Sequence, residues 1–390
     1  MKKRIVIVSI AVILLLLFYF LIVKSGFKTS IKLESQNLFD KIKLPPGFKI
    51  GIYSDNLGGS PVSNPGPNAG PRMMLLKNNV LYVTIPSKGR VAVLPDKDNN
   101  KKADKDITFI DGLNNPHGID FHEGWFYIAE EDRVIRVKEK TGDLIADSST
   151  IEILVQLPAG GHFTRTVKIQ NNSMFISIGS SCNVCYEQDE RRASILKCNL
   201  DGTNCTVFAK GLRNAVSFVF HPATGEMYAT ENGRDWIGED APPDEINLVE
   251  EGKNYGWPVC YGKNIHDADF DKNVYVRNPC MEPFTIPSLV DLQAHSAPLG
   301  LAFYDGNSFP KEYIGKLFAA FHGSWNRNVP TGYKIVIVDL DASEVRDFAT
   351  GWLQGNNIIG RPVDIIVEDE GSIFVSDDNA GKIYRIYYEK

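Results

Sequence analysis

The sequence predicts an all-β protein, a six-bladed β-propeller behind an N-terminal transmembrane helix. Three observations carry this reading. A unit of short strands separated by turns recurs six times along the chain. Inside each unit, as in VDIIV and SIFVS, apolar and polar residues alternate with the period of two that a strand imposes. Beyond the first segment, no stretch shows the apolar spacing of a long amphipathic helix. A pair of β-sandwiches is the alternative architecture, but one regular motif argues against two domains.

The first segment begins with Met1-Lys2-Lys3-Arg4, followed by Ile5 to Val23, nineteen residues interrupted only by Ser9. As a helix this run is roughly 28 Å long, close to the hydrocarbon thickness of a bilayer. No Ala-x-Ala site follows, so residues 1–26 are expected to be an uncleaved signal-anchor. The basic residues before the run keep that end cytoplasmic and put the rest of the chain on the extracytoplasmic side. The expected layout is thus a single-pass membrane protein: anchor 1–26, tether 27–43, propeller 44–390. Gly58 to Pro71, rich in Gly, Pro, Ser and Asn, reads as a surface loop.

The repeats then run in order. The first is RMMLLKNNVLYVTIPSKGRVAVLPD, from Arg72, and the second HGIDFHEGWFYIAEEDRVIRVK, from His117. The third is RTVKIQNNSMFISIGSS, from Arg165, continued after an insert by RASILKCNL. The fourth is NAVSFVFHPATGEMYATENG, from Asn214, continued by DEINLVEEG. The fifth is LGLAFYDGNSFPKEYIGKLFAAFHGSW, from Leu299, continued by GYKIVIVDLD, and the sixth is PVDIIVEDEGSIFVSDDNAGKIYRIYY, from Pro362. Their starts lie about 45 to 50 residues apart, with long inserts in the fourth and fifth copies, which is the period of a propeller blade.

Charge and cysteine content narrow the function. A formal net charge of −6 without a basic block speaks against nucleic acid. Six cysteines in an exported domain suggest disulfides, and the short spacings favour Cys182–Cys185, Cys198–Cys205 and Cys260–Cys280 among the fifteen connectivities. Zinc at Cys182-x-x-Cys185 is the alternative, but no second CxxC with finger-like spacing accompanies it.

Residues just before the first strand of each blade should line one mouth of the central channel. Those positions hold His117, His162 with Arg165, Arg213-Asn214, His295-Ser296 and Arg361. His162, in Gly160-Gly161-His162-Phe163-Thr164-Arg165, is the candidate base, because histidine titrates near neutral pH. Arg213 and Arg361 are fork-shaped donors suited to a ligand with several carboxylates. Arg327, in His322-Gly323-Ser324-Trp325-Asn326-Arg327, is a further cation, and Trp325 offers a face for a planar ring or a sugar. Asp244, Glu245 and Tyr255, with nearby Asn232 and Gly233, offer the oxygens that calcium prefers. A second calcium-type pattern places Asp96, Asp98, Asn100 and Asp104 at positions 1, 3, 5 and 9 of an EF-type loop, although Lys101 replaces its glycine and Ile107 its closing glutamate. Each of these has a plain structural reading as well: a solvated loop, an ion pair with a neighbouring blade or a charged turn.

The motifs GGHFTRTV, SIGSSCNVC with DERRASIL, GLRNAVSFVFHP, DEINLVEEGKNYGWP, AFHGSWNR with PTGYKIV, and GRPVDIIV with SDDNAGKIYRI span about residues 44 to 388. The chain in these stretches resembles the glucose/sorbosone dehydrogenases, six-bladed propellers related to soluble quinoprotein glucose dehydrogenase, and most of all their sorbosone dehydrogenase-like branch. The resemblance implies pyrroloquinoline quinone (PQQ) and calcium at the channel mouth. His162 matches the general base that takes the sugar C1 hydroxyl proton. Arg213 and Asn214 match a cofactor-contacting pair, and Asn232 a cofactor-contacting amide. Gly233 and Arg234 match the carbonyl donors to the cofactor's calcium, and Asp244, Glu245 and Tyr255 the loop that holds a structural calcium. In the glucose enzymes a second arginine lies two residues after the position of Arg361; here it is Val363. Their fifth-blade lysine has no clear counterpart, and Arg327 or His322 stands near its place. Arg165 lies three residues after His162, where those enzymes have arginine four residues on.

The expected function is therefore a membrane-anchored quinoprotein oxidising an aldose, sorbosone or a similar sugar or aldehyde, with a quinone or cytochrome as electron acceptor. The alternatives are a non-catalytic propeller that binds a glycan or a protein, and a calcium-dependent lactonase.

Overall fold

A computed structural model of the chain describes residues 41–58, 70–281 and 283–389. The expected membrane helix and most of the tether lie outside these residues. The compact unit Leu44–Lys390 is built from six four-stranded antiparallel sheets, the six expected blades.

Blade 1 comprises Met74–Lys77, Val80–Ile85, Arg90–Leu94 and Ile107–Ile110, and blade 2 Gly118–His122, Trp125–Ala129, Arg133–Lys138 and Glu152–Gln156. Blade 3 comprises Val167–Gln170, Ser173–Ile178, Ser194–Asn199 and Thr206–Lys210, and blade 4 Phe218–Phe220, Met227–Glu231, Asp244–Val249 and Val290–Leu292. Blade 5 comprises Pro298–Phe303, Leu317–Phe321, Lys334–Asp339 and Glu344–Ala349. Blade 6 has Pro362–Val367, Ile373–Asp377 and Lys382–Tyr388, and its outermost strand comes from the other end of the unit: Phe48–Ser54 pairs antiparallel with Lys382–Tyr388. This pairing closes the ring with hydrogen bonds instead of leaving two free sheet edges.

The alternation that marks each strand buries both of its faces, since blades stack face to face. Met73, Tyr82, Val93 and Phe109 thus meet Ile119, Phe126 and Ile135 between blades 1 and 2. Between blades 5 and 6, Phe48 sits edge-on to Phe309, Tyr313 and Phe348, with centroids 4.7 to 5.1 Å away. Polar staples join the inner strands. Thr84, Thr230 and Ser376, each on a second strand, donate their hydroxyls to the carbonyls of His117, Leu299 and Arg72 at the start of the next blade, at 2.7 to 2.9 Å. Val216, Leu299 and Val363 form a small apolar cluster contributed by three blades. Val363 is fully buried there, so the position that carries arginine in the glucose enzymes packs here as core.

The three disulfides join Cys182 to Cys185, Cys198 to Cys205 and Cys260 to Cys280. They are the expected pairs, and Cys182-x-x-Cys185 is a bridge and not a zinc knuckle.

Candidate functional site

Antiparallel order puts the second-to-third-strand loops and the crossovers between blades at one end of the propeller. His162 lies in the crossover into blade 3. Gly179 allows its close approach: a β-carbon there would come within 2.6 Å of both His162 Cβ and Asn214 Oδ1. The carbonyl of Ser180 accepts the backbone N–H of His162 and also its Nδ1–H, each at 3.0 Å. The Ser180 hydroxyl is also 3.0 Å from Nδ1, but it donates its proton to Cys182 O at 2.6 Å and so can only accept from the ring. A carbonyl can only accept, so the neutral ring carries its proton on Nδ1, and Nε2, which has no partner among the described residues, holds the lone pair. Burial, and next the charge of Arg213, push this imidazole down to about 3.

Arg213 is buried, with all five N–H donors engaged inside the chain. Nε meets Asn183 O at 2.8 Å, Nη1 meets the carbonyls of Asn232 and Gly233 at 3.0 Å each, and Nη2 meets Asn183 Oδ1 at 3.0 Å and Asp235 Oδ2 at 3.3 Å. Asn214 accepts from the Thr164 hydroxyl at 3.2 Å, and Asn232 Oδ1 is buried without a partner. Arg165 is fully buried and spends its guanidinium on the carbonyls of Pro158, His162 and Thr164, so it holds the loop that presents His162.

Opposite these stands a second polar chain. Arg361 Nη1 is 3.3 Å from His322 Nδ1, His322 Nε2 is 2.8 Å from Asp378 Oδ1, and Asp378 Oδ2 accepts from Arg72 Nη1 at 2.6 Å. An arginine can only donate, so His322 accepts at Nδ1 and donates from Nε2. Burial drives its pKa down, although Asp378 pulls it up. Burial alone would raise Asp378, but His322, Arg72 and Arg361 outweigh it and hold the carboxyl at about 2. Arg361 Nε has no partner. Arg327 pairs with Asp240 at 2.9 Å and, among the described residues, hydrogen-bonds to neither His162 nor Arg361.

The blade 4 insert forms a small cavity lined by Glu231, Gly233, Arg234, Glu245, Tyr255 and Asp267. The Arg234 guanidinium is bidentate on Asp267. Asp244 accepts from Gly233 N at 2.9 Å and Ala297 N at 2.8 Å, which ties the loop to blade 5. Glu231 is buried with Oε2 unpartnered. Burial, and then the like charge of Glu245, raise its pKa well above the usual range. Burial likewise lifts Glu245 to about 7.

Asp96, Asp98 and Asp104 bring carboxylate oxygens within 4.8 Å of one another. They sit in the third-to-fourth-strand loop of blade 1, which antiparallel order places at the opposite end of the blade from the loops that carry Asn232, His322 and Asp378. Asn100 turns its amide N–H groups toward Asp96 and Asp98.

Several residues at the mouth escaped the sequence reading. Arg72 heads the first repeat, as Arg165 and Arg361 stand at the start of the third and sixth, so a repeat-by-repeat comparison carried its signal. Asp378, Glu231, Asp267 and Ser180 carried none, because each acts through a partner set by the fold.

The TrAA12-like family matches residues 69–389. An uncharacterised protein of Borreliella burgdorferi is 36% identical over 381 residues, covering 93% of this chain and 95% of that one. The pyrroloquinoline quinone-dependent pyranose dehydrogenase of Coprinopsis cinerea is 26% identical over 294 residues, covering 58% of this chain and 39% of that longer one. The holo form of its PQQ domain superposes with a TM-score of 0.72 at 22% identity, over 89% of this chain and 97% of that domain. A Trichoderma reesei carbohydrate-active enzyme of family AA12 superposes with a TM-score of 0.74 at 21% identity, over 90% and 98%. The chain belongs to the TrAA12-like family, six-bladed propellers whose relatives include PQQ-dependent sugar dehydrogenases.

Proposed function

We propose that the protein is a PQQ- and calcium-dependent oxidoreductase acting on an aldose, sorbosone or a related sugar or aldehyde, anchored by residues 1–26 with the propeller on the extracytoplasmic side. A quinone or cytochrome would take the electrons. The observation that carries the reading is His162: a neutral imidazole fixed at Nδ1 by a carbonyl, with its Nε2 lone pair free beside a buried guanidinium.

The residues fit the cofactor. Asn232 Oδ1 and Arg361 Nε are buried polar atoms that lack partners, which is costly unless a ligand completes them. Asn214, Asn232, His322 and Arg361 would line the cofactor, while Arg165 and Arg213 hold the loops and set a positive potential. The carbonyls of Asn232 and Gly233 already converge on one guanidinium nitrogen, so this loop is shaped to hold positive charge; with Arg234 it would hold the cofactor's calcium. The unpartnered Glu231 beside Glu245 suits a second, structural calcium, with Tyr255 and Asp244 bracing that loop. Asp96, Asp98, Asn100 and Asp104 would hold an ion at the far end, away from the chemistry.

When bound, PQQ would supply a two-electron acceptor and calcium a Lewis acid. His162 would accept the proton of the substrate hydroxyl at Nε2. The Ser180 carbonyl keeps the ring oriented, and Arg213 favours the anionic oxygen left behind.

A non-catalytic glycan-binding propeller is the second reading, favoured by the full internal engagement of Arg213 and by the apolar Val363. Titrating the full chain with PQQ and calcium, then following dye reduction with aldoses and sorbosone, separates the two. PQQ binding with turnover supports the dehydrogenase, and no binding at micromolar PQQ rejects it.

A further inference from the structure

Trp236 and Trp325 stand out at the rim. They are 69% and 67% exposed, yet each belongs to a loop tied down on several sides. Their rings meet edge-to-face, with centroids 5.4 Å apart and planes at 89°. Trp236 follows Asp235 and Trp325 precedes Asn326, and Asn326 Nδ2 donates to Asp235 Oδ1 at 2.7 Å. Arg327 binds Asp240, Asn328 binds Glu239 through both its backbone and its side-chain amide, and His295 Nε2 lies 2.7 Å from Gly238 O. The polar lacing of these loops is extensive, while their two largest apolar side chains are left in water.

Trp236 also has φ +72°. A bulky residue in the left-handed region is an outlier that glycine would relieve. Neither packing nor turn chemistry accounts for an exposed tryptophan held this way, and strain of this kind collects at ligand-binding sites.

The geometry points to an outer saccharide subsite in which Trp236 and Trp325 clamp a second sugar ring of a substrate whose first ring occupies the His162 site. Rings bearing both C–H faces and hydroxyls match two perpendicular indoles bordered by the carboxylates of Asp235, Glu239 and Asp240 and the amides of Asn326 and Asn328. The position follows from connectivity: Asp235 contacts Arg213 at 3.3 Å, so the clamp begins one residue beyond the inner site. The exposed charges beside the indoles are the carboxylates of Glu239 and Asp240, which disfavour an anionic lipid surface. The proposal rests on the sugar dehydrogenase reading and names its substrate class: saccharides of two or more rings.

The test is equilibrium binding of glucose, cellobiose, cellotriose, maltose and maltotriose to the full, cofactor-free chain by calorimetry, beside a PQQ titration. At least one di- or trisaccharide should bind about tenfold tighter than glucose. Trp236→Ala and Trp325→Ala should each erase most of that difference, and the Phe variants should restore much of it. Trp236→Gly should melt no lower than the parent chain, which separates loss of the clamp from loss of the fold. Equal affinity for all the sugars, or a length preference that survives both Ala variants, overturns the proposal, as does Trp-dependent binding to anionic vesicles without sugar binding. Loss of PQQ binding in the parent chain rejects the dehydrogenase reading instead, and the sugar series still decides whether the clamp exists.

Discussion

The Ser180 carbonyl, 3.0 Å from His162 Nδ1, fixes the tautomer of this half-buried histidine and leaves its Nε2 free. His117 and His322 also reach this region. His117 is buried against Thr166, and His322 is bound at both nitrogens. His117 also leaves Nε2 without a partner, but it is fully buried, whereas His162 is only half-buried and can meet a substrate.

His162→Ala should therefore lower turnover by about 100- to 10,000-fold, the usual contribution of a general base, while PQQ affinity stays within about threefold. Steady-state kinetics beside a cofactor titration checks this. A comparable loss of PQQ affinity would assign His162 to binding.

Ser180→Ala should cost far less, because the Nδ1 contact that matters is to the backbone carbonyl, not to the hydroxyl. A fall in kcat below about tenfold is expected, measured with saturating PQQ.

Arg72 and Asp378 form a buried pair, and removing Arg72 leaves the buried Asp378 carboxylate with His322 but without its bonded guanidinium. Arg72→Met should destabilise the propeller by about 3–5 kcal/mol in urea denaturation, and the Arg72→Met/Asp378→Asn double variant by less than the sum of the two singles. The same pair sets an acid limit. The Asp378 carboxyl is held at about 2, below its unfolded value, so its stabilisation is complete above about pH 4 and is lost as pH falls toward 2. The pKa of His322 is lowered, so the unfolded chain binds its proton first and stability again falls with acid, beginning as pH drops through the ordinary histidine value. Asp378→Asn should flatten the acid arm of a plot of Tm against pH.

The blades were legible because each writes its alternation locally. The closing strand Phe48–Ser54 was not, since its partner lies at the far end of the unit. His162 and the Arg213-Asn214 pair were legible as motifs. What Arg213 does was not: its five contacts come from loops 183, 232–233 and 235, which meet only in the folded ring. Arg72 and Asp378, 306 residues apart, leave no local trace of their pairing. Trp236 is visible in sequence as a loop tryptophan, but its backbone strain is a property of the fold alone.

Glu231 beside Glu245 predicts the response to calcium. Added calcium should raise Tm, and a chelator should reverse the rise. Glu231→Gln removes a carboxyl whose pKa burial holds well above its unfolded value, a penalty at neutral pH, so the calcium-free variant should melt higher than the parent, by about 2 °C or more, and should lose most of the calcium-induced gain. Differential scanning calorimetry with and without calcium checks both.

The bridge between Cys260 and Cys280 spans 20 residues that include Asp267, the partner of Arg234. Replacing both cysteines by serine should cost about 2–4 kcal/mol and open residues 260–280 to limited proteolysis before the blades unfold.

The central claim is that this channel mouth oxidises a sugar through a bound quinone with His162 as base. Its most direct test is anaerobic mixing of the PQQ- and calcium-loaded full chain with excess aldose or sorbosone, watching the absorbance of the bound cofactor. The parent chain should reduce its cofactor in a single turnover, and loaded His162→Ala should do so at least about 100-fold more slowly. A cofactor that stays oxidised in the parent chain with every sugar, or that is reduced equally fast in His162→Ala, contradicts the account.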